Sequence, residues 1–400
     1  MSAKKNAINL YIIQGTNILV PLLALPYLGR ALGPDGFGSL AFAQLILQYL
    51  ILTADFGFNL TATRRISQAK GDKNAISTIV VNTSIVRIAL GVFACLVTYA
   101  ATLVIPQLNS SRHIILISFA AVAGSILTPA WLFHGLEKNH IFAAITALPR
   151  FAALIPLATL IKTPADLTLA AWLQFGPQLA TGLICVIWIS YSKPFPLCTP
   201  KISQIKFAFS DGLHIYTSTI LSSIYIYVNG LIVRFAGGEA ALGIYAAAEK
   251  LVKAVSALIS PVVQAVYPRV CNGSNHSLKK IYLIIIAITL SCWLGSLAIG
   301  DLIISLIYGP HFHESSTVLK ILTVAPIFSG MSMISVQLKI LAWGEHKHLK
   351  KIYALSVLMH CAQAPILVTS WGVRGAAISV VITEILTLTL ISAMVRKLAR

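Results

Sequence analysis

Charge is what this sequence has least of. Asp, Glu, Lys and Arg make up 10% of its 400 residues, against roughly 25% in soluble proteins. With 57% of the chain hydrophobic and a mean hydropathy of +0.83, there is too little polar surface for a soluble globular domain. Acids are scarcer still, 12 against 30 Lys and Arg. Cysteine is limited to Cys95, Cys185, Cys198, Cys271, Cys292 and Cys361, with no C-x-x-C pair. Four of the six lie in apolar runs, which excludes a disulfide framework or a thiolate metal site and leaves small packing residues. H-E-x-x-H, Walker A and G-x-S-x-G are missing, as are acids paired at hydrolytic spacing, so no enzymatic apparatus is visible and neither a cofactor nor a metal is implied. A cleaved signal peptide is not expected either. Lys4 and Lys5 precede an apolar run that leads straight into the turn after Arg30, without a small-residue cleavage pattern.

Long apolar runs are what fill the chain. We expect twelve spans, near 8–28, 37–57, 79–105, 114–136, 141–161, 167–191, 212–235, 242–266, 281–308, 316–342, 352–370 and 375–395. Each approaches the ~20 residues that cross a bilayer as a helix. They are too long for the ~10-residue alternating strands of an outer-membrane barrel. Helices satisfy their own backbone in lipid, so the expected fold class is all-α integral membrane. The basic residues fix an orientation. With the N-terminus inside, the cytoplasmic segments hold nineteen Lys and Arg and the outer segments hold five: Arg30, Arg112, Lys162, Arg234 and Arg374. Such a bias is the positive-inside rule, and it places both termini in the cytoplasm. It also accounts for the net charge of +18, so nucleic acid is not an expected partner.

The longest polar interval, 192–211, carries Lys193, Lys201 and Lys206 and falls between six spans and six. We therefore expect an N-terminal six-helix bundle over 1–191, a cytoplasmic linker over 192–211 and a C-terminal six-helix bundle over 212–400. The two halves resemble each other. R-A-L-G-P-D-G-F-G-S-L-A-F-A from Arg30 aligns, with one gap, on R-F-A-G-G-E-A-A-L-G-I-Y-A-A-A from Arg234, matching Gly38 to Gly243. An even number of spans per half gives both the same orientation. The expected symmetry is a pseudo-two-fold axis along the membrane normal, as in transporters built of parallel repeats. Proline recurs inside the spans, at Pro129, Pro149 and Pro326 among others, where it removes a helical hydrogen bond and bends the helix.

A lysine or arginine at the centre of a membrane helix costs ~2.5–3.5 kcal/mol on insertion scales. This chain places Arg87, Arg150, Lys250, Lys253, Lys320 and Lys339 inside spans, with Arg30 and Arg234 at the outer ends of two. The carboxylates within the same envelope are Asp55, Asp211, Glu249 and Glu384. Cations exceed anions, and a surplus cation in a greasy body calls for water or an anionic ligand. Glu249 and Lys253, four apart, share a helix face. Ser256, Ser260 and Gln264 extend its polar side, and Gln174 and Gln178 share a face in span six. Phosphate or pyrophosphate suits arginine, whose planar fork of donors matches it. The expected anion-binding set is Arg30, Arg87, Arg150, Arg234, Lys250, Lys253 and Lys320, and the candidates for ion coupling are Asp55, Glu249 and Glu384. Lone histidines such as His214 and His360 read first as packed hydrogen-bonding residues.

Two stretches carry a family resemblance. N-L-Y-I-I-Q-G-T-N-I-L-V-P-L-L-A-L-P-Y-L-G-R-A-L-G-P-D-G-F-G, ending at Gly38, and D-F-G-F-N-L-T-A-T-R-R-I-S, from Asp55 to Ser67, resemble the polysaccharide-biosynthesis (Wzx-like, O-antigen) flippases. These belong to the multidrug/oligosaccharidyl-lipid/polysaccharide exporter superfamily. The likeness is specific over about the first seventy residues and rests on the six-plus-six layout beyond. It implies two six-helix bundles around a central cavity in the bacterial inner membrane. It further implies an undecaprenyl-pyrophosphate-linked oligosaccharide moved from the cytoplasmic to the periplasmic leaflet, by alternating access coupled to cation antiport. A polysaccharide polymerase and a chain-length regulator are the implied protein partners. Residue by residue it reaches only Arg30, Asp55, Arg64, Arg65 and their glycines. Two other readings stand beside it. A drug/cation antiporter on the same fold would favour an acidic cavity, against the basic excess. A membrane-embedded glycan polymerase would need a sizeable outer loop, and every outer loop here is short.

Overall fold

The computed structural model describes residues 3–192, 195–196, 198–271, 278–341 and 349–398. Lys193 lies outside them, as do the side chains of Ser260 and Gln264. The described chain is helical throughout: α1 (Ala3–Asp55), α2 (Phe58–Gln68), α3 (Lys73–Val104), α4 (Pro106–Ser110), α5 (Arg112–Leu127), α6 (Ala130–Gly135) and α7 (Asn139–Leu160). There follow α8 (Leu167–Ser192), α9 (Ile202–Cys271), α10 (Leu278–Tyr308), α11 (His313–Leu322), α12 (Ala325–Ser335) and α13 (Leu349–Leu398). Among the described residues nine helical stretches are long and apolar enough to cross a membrane. The chain is a multi-pass, all-α membrane protein, as its composition requires.

Twelve spans were expected, and three of these elements each join two helices across a non-helical break. α1, α9 and α13 are interrupted at Gly33 (φ 66°), Gly238 (φ 82°) and Gly372 (φ 55°). Each interruption falls in the short interval where the sequence ends one apolar run and begins the next. A left-handed residue costs an ordinary side chain about 1–2 kcal/mol, so glycine occupies the break. Gly38 and Gly243 lie five residues beyond Gly33 and Gly238. A Cβ on Gly38 would run into the Glu239 carbonyl, and one on Gly243 into the Pro34 carbonyl. The two turns that look alike in sequence therefore share a left-handed break and a glycine packed on the other's backbone.

The chain divides into two compact units. The first holds 1–27 and 42–223, the second 28–41 and 224–400. The tip of α1, with Gly33 and Gly38, thus packs with the second unit. In the first unit a core of Phe56, Phe58, Ile66, Ile79, Trp131 and Leu132 gathers around α2 and α6. Helices α5 and α8 meet at Gly124 and Gly182, where any Cβ would strike the facing backbone. Small residues at such crossings let membrane helices approach closely. In the second unit Phe37 stands edge-on to Tyr308 and Phe312, at centroid distances of 5.5 and 5.8 Å. In the same unit Ile259, Val263, Ile281, Ile285 and Ile334 form a buried cluster.

Candidate functional site

In the first unit the D-F-G-F segment ends α1 sharply. Phe56 (φ 44°) and Gly57 (φ 80°) are both left-handed. The Phe56 ring is buried and stacks on Tyr216 at 4.6 Å and Phe209 at 5.0 Å, which offsets the strain of a non-glycine residue there. The turn leaves Asp55 facing α3, where Arg87 Nη2 donates to Asp55 Oδ1 at 2.6 Å. The Arg87 side chain is 2% exposed. The same guanidinium reaches the carbonyls of Ser125 (2.9 Å), Thr128 (3.2 Å) and Ile126 (3.4 Å). These are the last acceptors of α5. Pro129 has no N–H to offer Ser125, which takes the Thr128 N–H instead, and the Ala130 N–H goes to Thr128, so the helix end keeps spare acceptor capacity. A buried cation at a helix C-terminus satisfies the carbonyls and the dipole together. Asn59 Nδ2 donates to the other Asp55 oxygen at 2.8 Å.

The second charged residue expected in this unit, Arg150, lies on α7 and donates to Gln178 Oε1 at 3.1 Å. Gln174 turns instead to Gln44, at 3.5 Å, so the two glutamines of α8 serve different neighbours. Arg64 pairs with Asp211 at 3.3 Å, and Arg65 lies over the Phe207 ring at 4.9 Å.

The second unit holds the other expected residues. Arg30 donates to the Leu306 carbonyl. Arg234, 6% exposed, pairs with Glu239 at 2.7 Å, and Ser39 donates to the second Glu239 oxygen at 2.5 Å. Lys250 Nζ lies 4.7 Å from the Phe37 ring centre. Lys320 pairs with Asp301 at 2.7 Å. Asp301 and Glu239 were not among the carboxylates that the sequence singled out.

One cavity brings several expected residues together. It has a volume of about 290 Å³, and its lining includes Glu249, Lys253, His360 and Glu384. Lys253 pairs with Glu249 at 3.1 Å, the i,i+4 contact read from the sequence. Asn229 and Tyr245, also at its wall, bond to each other at 2.8 Å. Ser379 donates to Asn229 at 3.3 Å, and Thr383 meets both His360 (2.8 Å) and Gln363 (2.7 Å). Two carboxylates, with Asn229, Tyr245, Ser256 and Ser329 also at the wall, make this cavity rich in acceptors, the chemistry that takes a cation. Sequence reasoning found Glu249, Lys253 and Glu384 by their cost in a membrane. It missed Asn229 and Ser329, which are uncharged and ordinary in a membrane helix. Asp55 belongs to the first unit.

Comparison with known proteins places this geometry. Residues 3–273 match the family model described as polysaccharide biosynthesis protein. A protein of Escherichia coli (strain K12) named "Putative O-antigen transporter" is 30% identical over 406 residues, 99% of this chain and 97% of that protein. A Shigella dysenteriae protein of the same name is 30% identical over 387 residues, 96% of this chain and 97% of that one. Among solved structures, the lipid II flippase MurJ in an inward closed conformation superposes with a TM-score of 0.69 at 13% identity, over 98% of this chain and 88% of that one. A MOP superfamily transporter from Pyrococcus furiosus gives 0.63 at 15%, over 98% and 93%. At such identities the structures show the fold, and it is the exporter-superfamily fold expected from the sequence.

Proposed function

The chain belongs to the polysaccharide biosynthesis protein family, and from that premise we propose that it is a flippase for lipid-linked polysaccharide precursors. The observation that carries this is the full-length match, at 30% identity, to two proteins named as O-antigen transporters. In its finer form the cargo is an undecaprenyl-pyrophosphate-linked oligosaccharide repeat unit. It passes from the cytoplasmic to the periplasmic leaflet of the bacterial inner membrane by alternating access. The working parts in this reading are two six-span bundles, 1–191 and 212–400, with both termini cytoplasmic. Counting each side of the glycine breaks in α1, α9 and α13 as a separate span brings the nine helical stretches to the twelve of this layout. A polymerase and a chain-length regulator would receive the product.

Basic residues inside the membrane support an anionic head group. Arg150 and Lys250 are the leading contacts in this reading; Arg150 donates to an amide oxygen and Lys250 stands over a ring face. Arg30, Arg87, Arg234, Lys253 and Lys320 complete the proposed set. Four of these five sit on carboxylates, so for them a structural role competes. Coupling to a cation is assigned to Glu249 and Glu384 at the acceptor-rich cavity, with Asp55 the weaker candidate because Arg87 and Asn59 already occupy its oxygens.

Reconstitution into liposomes with a lipid-pyrophosphate oligosaccharide, scored for leaflet transfer with and without a proton or sodium gradient, tests the proposal. Transfer that needs the protein and responds to one gradient is the expected result. Movement of a cationic drug without transfer of the lipid would point to the antiporter. Glycan elongation by the purified protein alone would point to a polymerase.

A further inference from the structure

A second cavity in the second unit has no part in the reading above. Its volume is about 830 Å³, within the ~300–1,000 Å³ of ligand pockets. It is built where α11 begins and where α13 breaks at Gly372. Its lining combines the aliphatic Ile244, Ile321 and Ile378 with Glu314, Trp371 and Arg374. Glu314 and Arg374 are exposed and form no ion pair or side-chain hydrogen bond with any described residue, each other included. Trp371 is 58% exposed. Residues 309–315 and 371–374 fall between apolar runs, at the depth where a helix leaves the hydrocarbon and where Trp gathers. The cavity therefore joins two opposite charges and aliphatic side chains at the ends of apolar runs.

A ligand for it must match one positive charge, one negative charge and a hydrocarbon surface at once. A neutral sugar would take water from Glu314 and Arg374 and return no counter-charge. An anionic phospholipid would satisfy Arg374 and set its own net charge against Glu314. A zwitterionic phospholipid satisfies both. Its phosphate takes the guanidinium fork of Arg374, and its ammonium takes Glu314 and the face of Trp371. An acyl chain then lies along Ile244, Ile321 and Ile378.

We propose that this cavity is a binding site for a zwitterionic phospholipid of the phosphatidylethanolamine type. The proposal does not rest on the transport reading, and its test is separate. The full chain is released from membranes containing equal phosphatidylethanolamine and phosphatidylglycerol, and native mass spectrometry weighs the lipids it retains. The wild type is expected to keep phosphatidylethanolamine in preference. Glu314→Gln lowers that preference roughly tenfold, and Arg374→Gln, which meets the phosphate common to both lipids, lowers retention of both roughly tenfold, the scale of one charge-assisted contact. Equal retention of phosphatidylglycerol by the wild type overturns the proposal. So does a preference unchanged in Glu314→Gln, retention unchanged in Arg374→Gln, or displacement of the lipid by a soluble oligosaccharide. Should a variant fail to fold, thermal unfolding of the wild type decides. A melting temperature raised by phosphatidylethanolamine alone supports the site, and one raised equally by both lipids refutes it.

Discussion

Replacing Arg87 by leucine keeps the bulk of the side chain and removes a guanidinium that serves four acceptors. Those acceptors are Asp55 at 2.6 Å and the Ser125, Thr128 and Ile126 carbonyls at 2.9, 3.2 and 3.4 Å. Breaking a buried pair by removing one partner costs about 3–5 kcal/mol, because the other charge is left behind. Asp55 is 23% exposed and keeps Asn59, which places the loss near the lower end. The three carbonyls at the end of α5 lose this donor as well, although Ser125 and Thr128 each keep a backbone N–H. A loss of about 3 kcal/mol corresponds to a drop of roughly 6–12 °C in melting temperature for a unit of this size. Fluorescence-detected unfolding in detergent reads it directly. Asp55→Asn added to Arg87→Leu should recover part of the loss, since no uncompensated carboxylate remains. Arg87→Lys should fall between, because an ammonium cannot span the carboxylate and three carbonyls. A variant Arg87→Leu that melts with the wild type yet transports nothing would refute this reasoning and return Arg87 to the cargo.

Other residues give further tests. Gly38→Val and Gly243→Val put a side chain into the facing backbone carbonyl and should abolish folded protein on size exclusion. Gly33→Ala meets only open space, costs about 1–2 kcal/mol and should still fold, so equal outcomes for the three would contradict the close crossing. Arg150→Ala and Lys250→Ala should each slow leaflet transfer roughly tenfold, the loss of one charge-assisted contact, with unfolding unchanged. In cells the matching sign is lipid-linked repeat units that accumulate in the cytoplasmic leaflet. Glu249→Gln and Glu384→Gln should leave transfer down a substrate gradient intact and erase its response to a proton or sodium gradient. If that response survives in both variants, neither carboxylate carries the coupling.

How much of this was legible in the sequence depends on the range of each interaction. Helices follow from apolar length alone, because lipid offers the backbone no other partner. The likeness of the turns at Arg30 and Arg234 was legible because glycine is required twice in each, once for a left-handed φ and once for a close approach. The Glu249–Lys253 pair was legible because four residues is one helical turn. Nothing comparable marks Asp55 and Arg87, 32 residues apart, or Asp301 and Lys320, 19 apart. Such pairs are made by packing, and a sequence shows packing only through periodicity.

The surplus of cations illustrates the same limit. Counting side chains sets lysines and arginines against carboxylates alone, and on that count many are left over. The fold supplies acceptors that the count omits. Around the Thr128–Pro129 step the Ser125, Ile126 and Thr128 carbonyls have spare acceptor capacity and Arg87 takes it. The end of α10 gives Arg30 the Leu306 carbonyl, and Lys250 finds the face of Phe37. A proline or a left-handed glycine in a membrane helix is therefore a place where a buried cation can be satisfied by the chain itself. A basic residue that packing can bring to such a break needs no ligand to explain it. What argues for a cargo is a cation whose partner gives way cheaply, and by that measure Lys250, over the Phe37 ring, carries more weight than the four that sit on carboxylates. An anion entering beside an amide or a ring displaces a neutral group. Beside Glu239 or Asp301 it would have to expel a carboxylate that then needs a partner of its own.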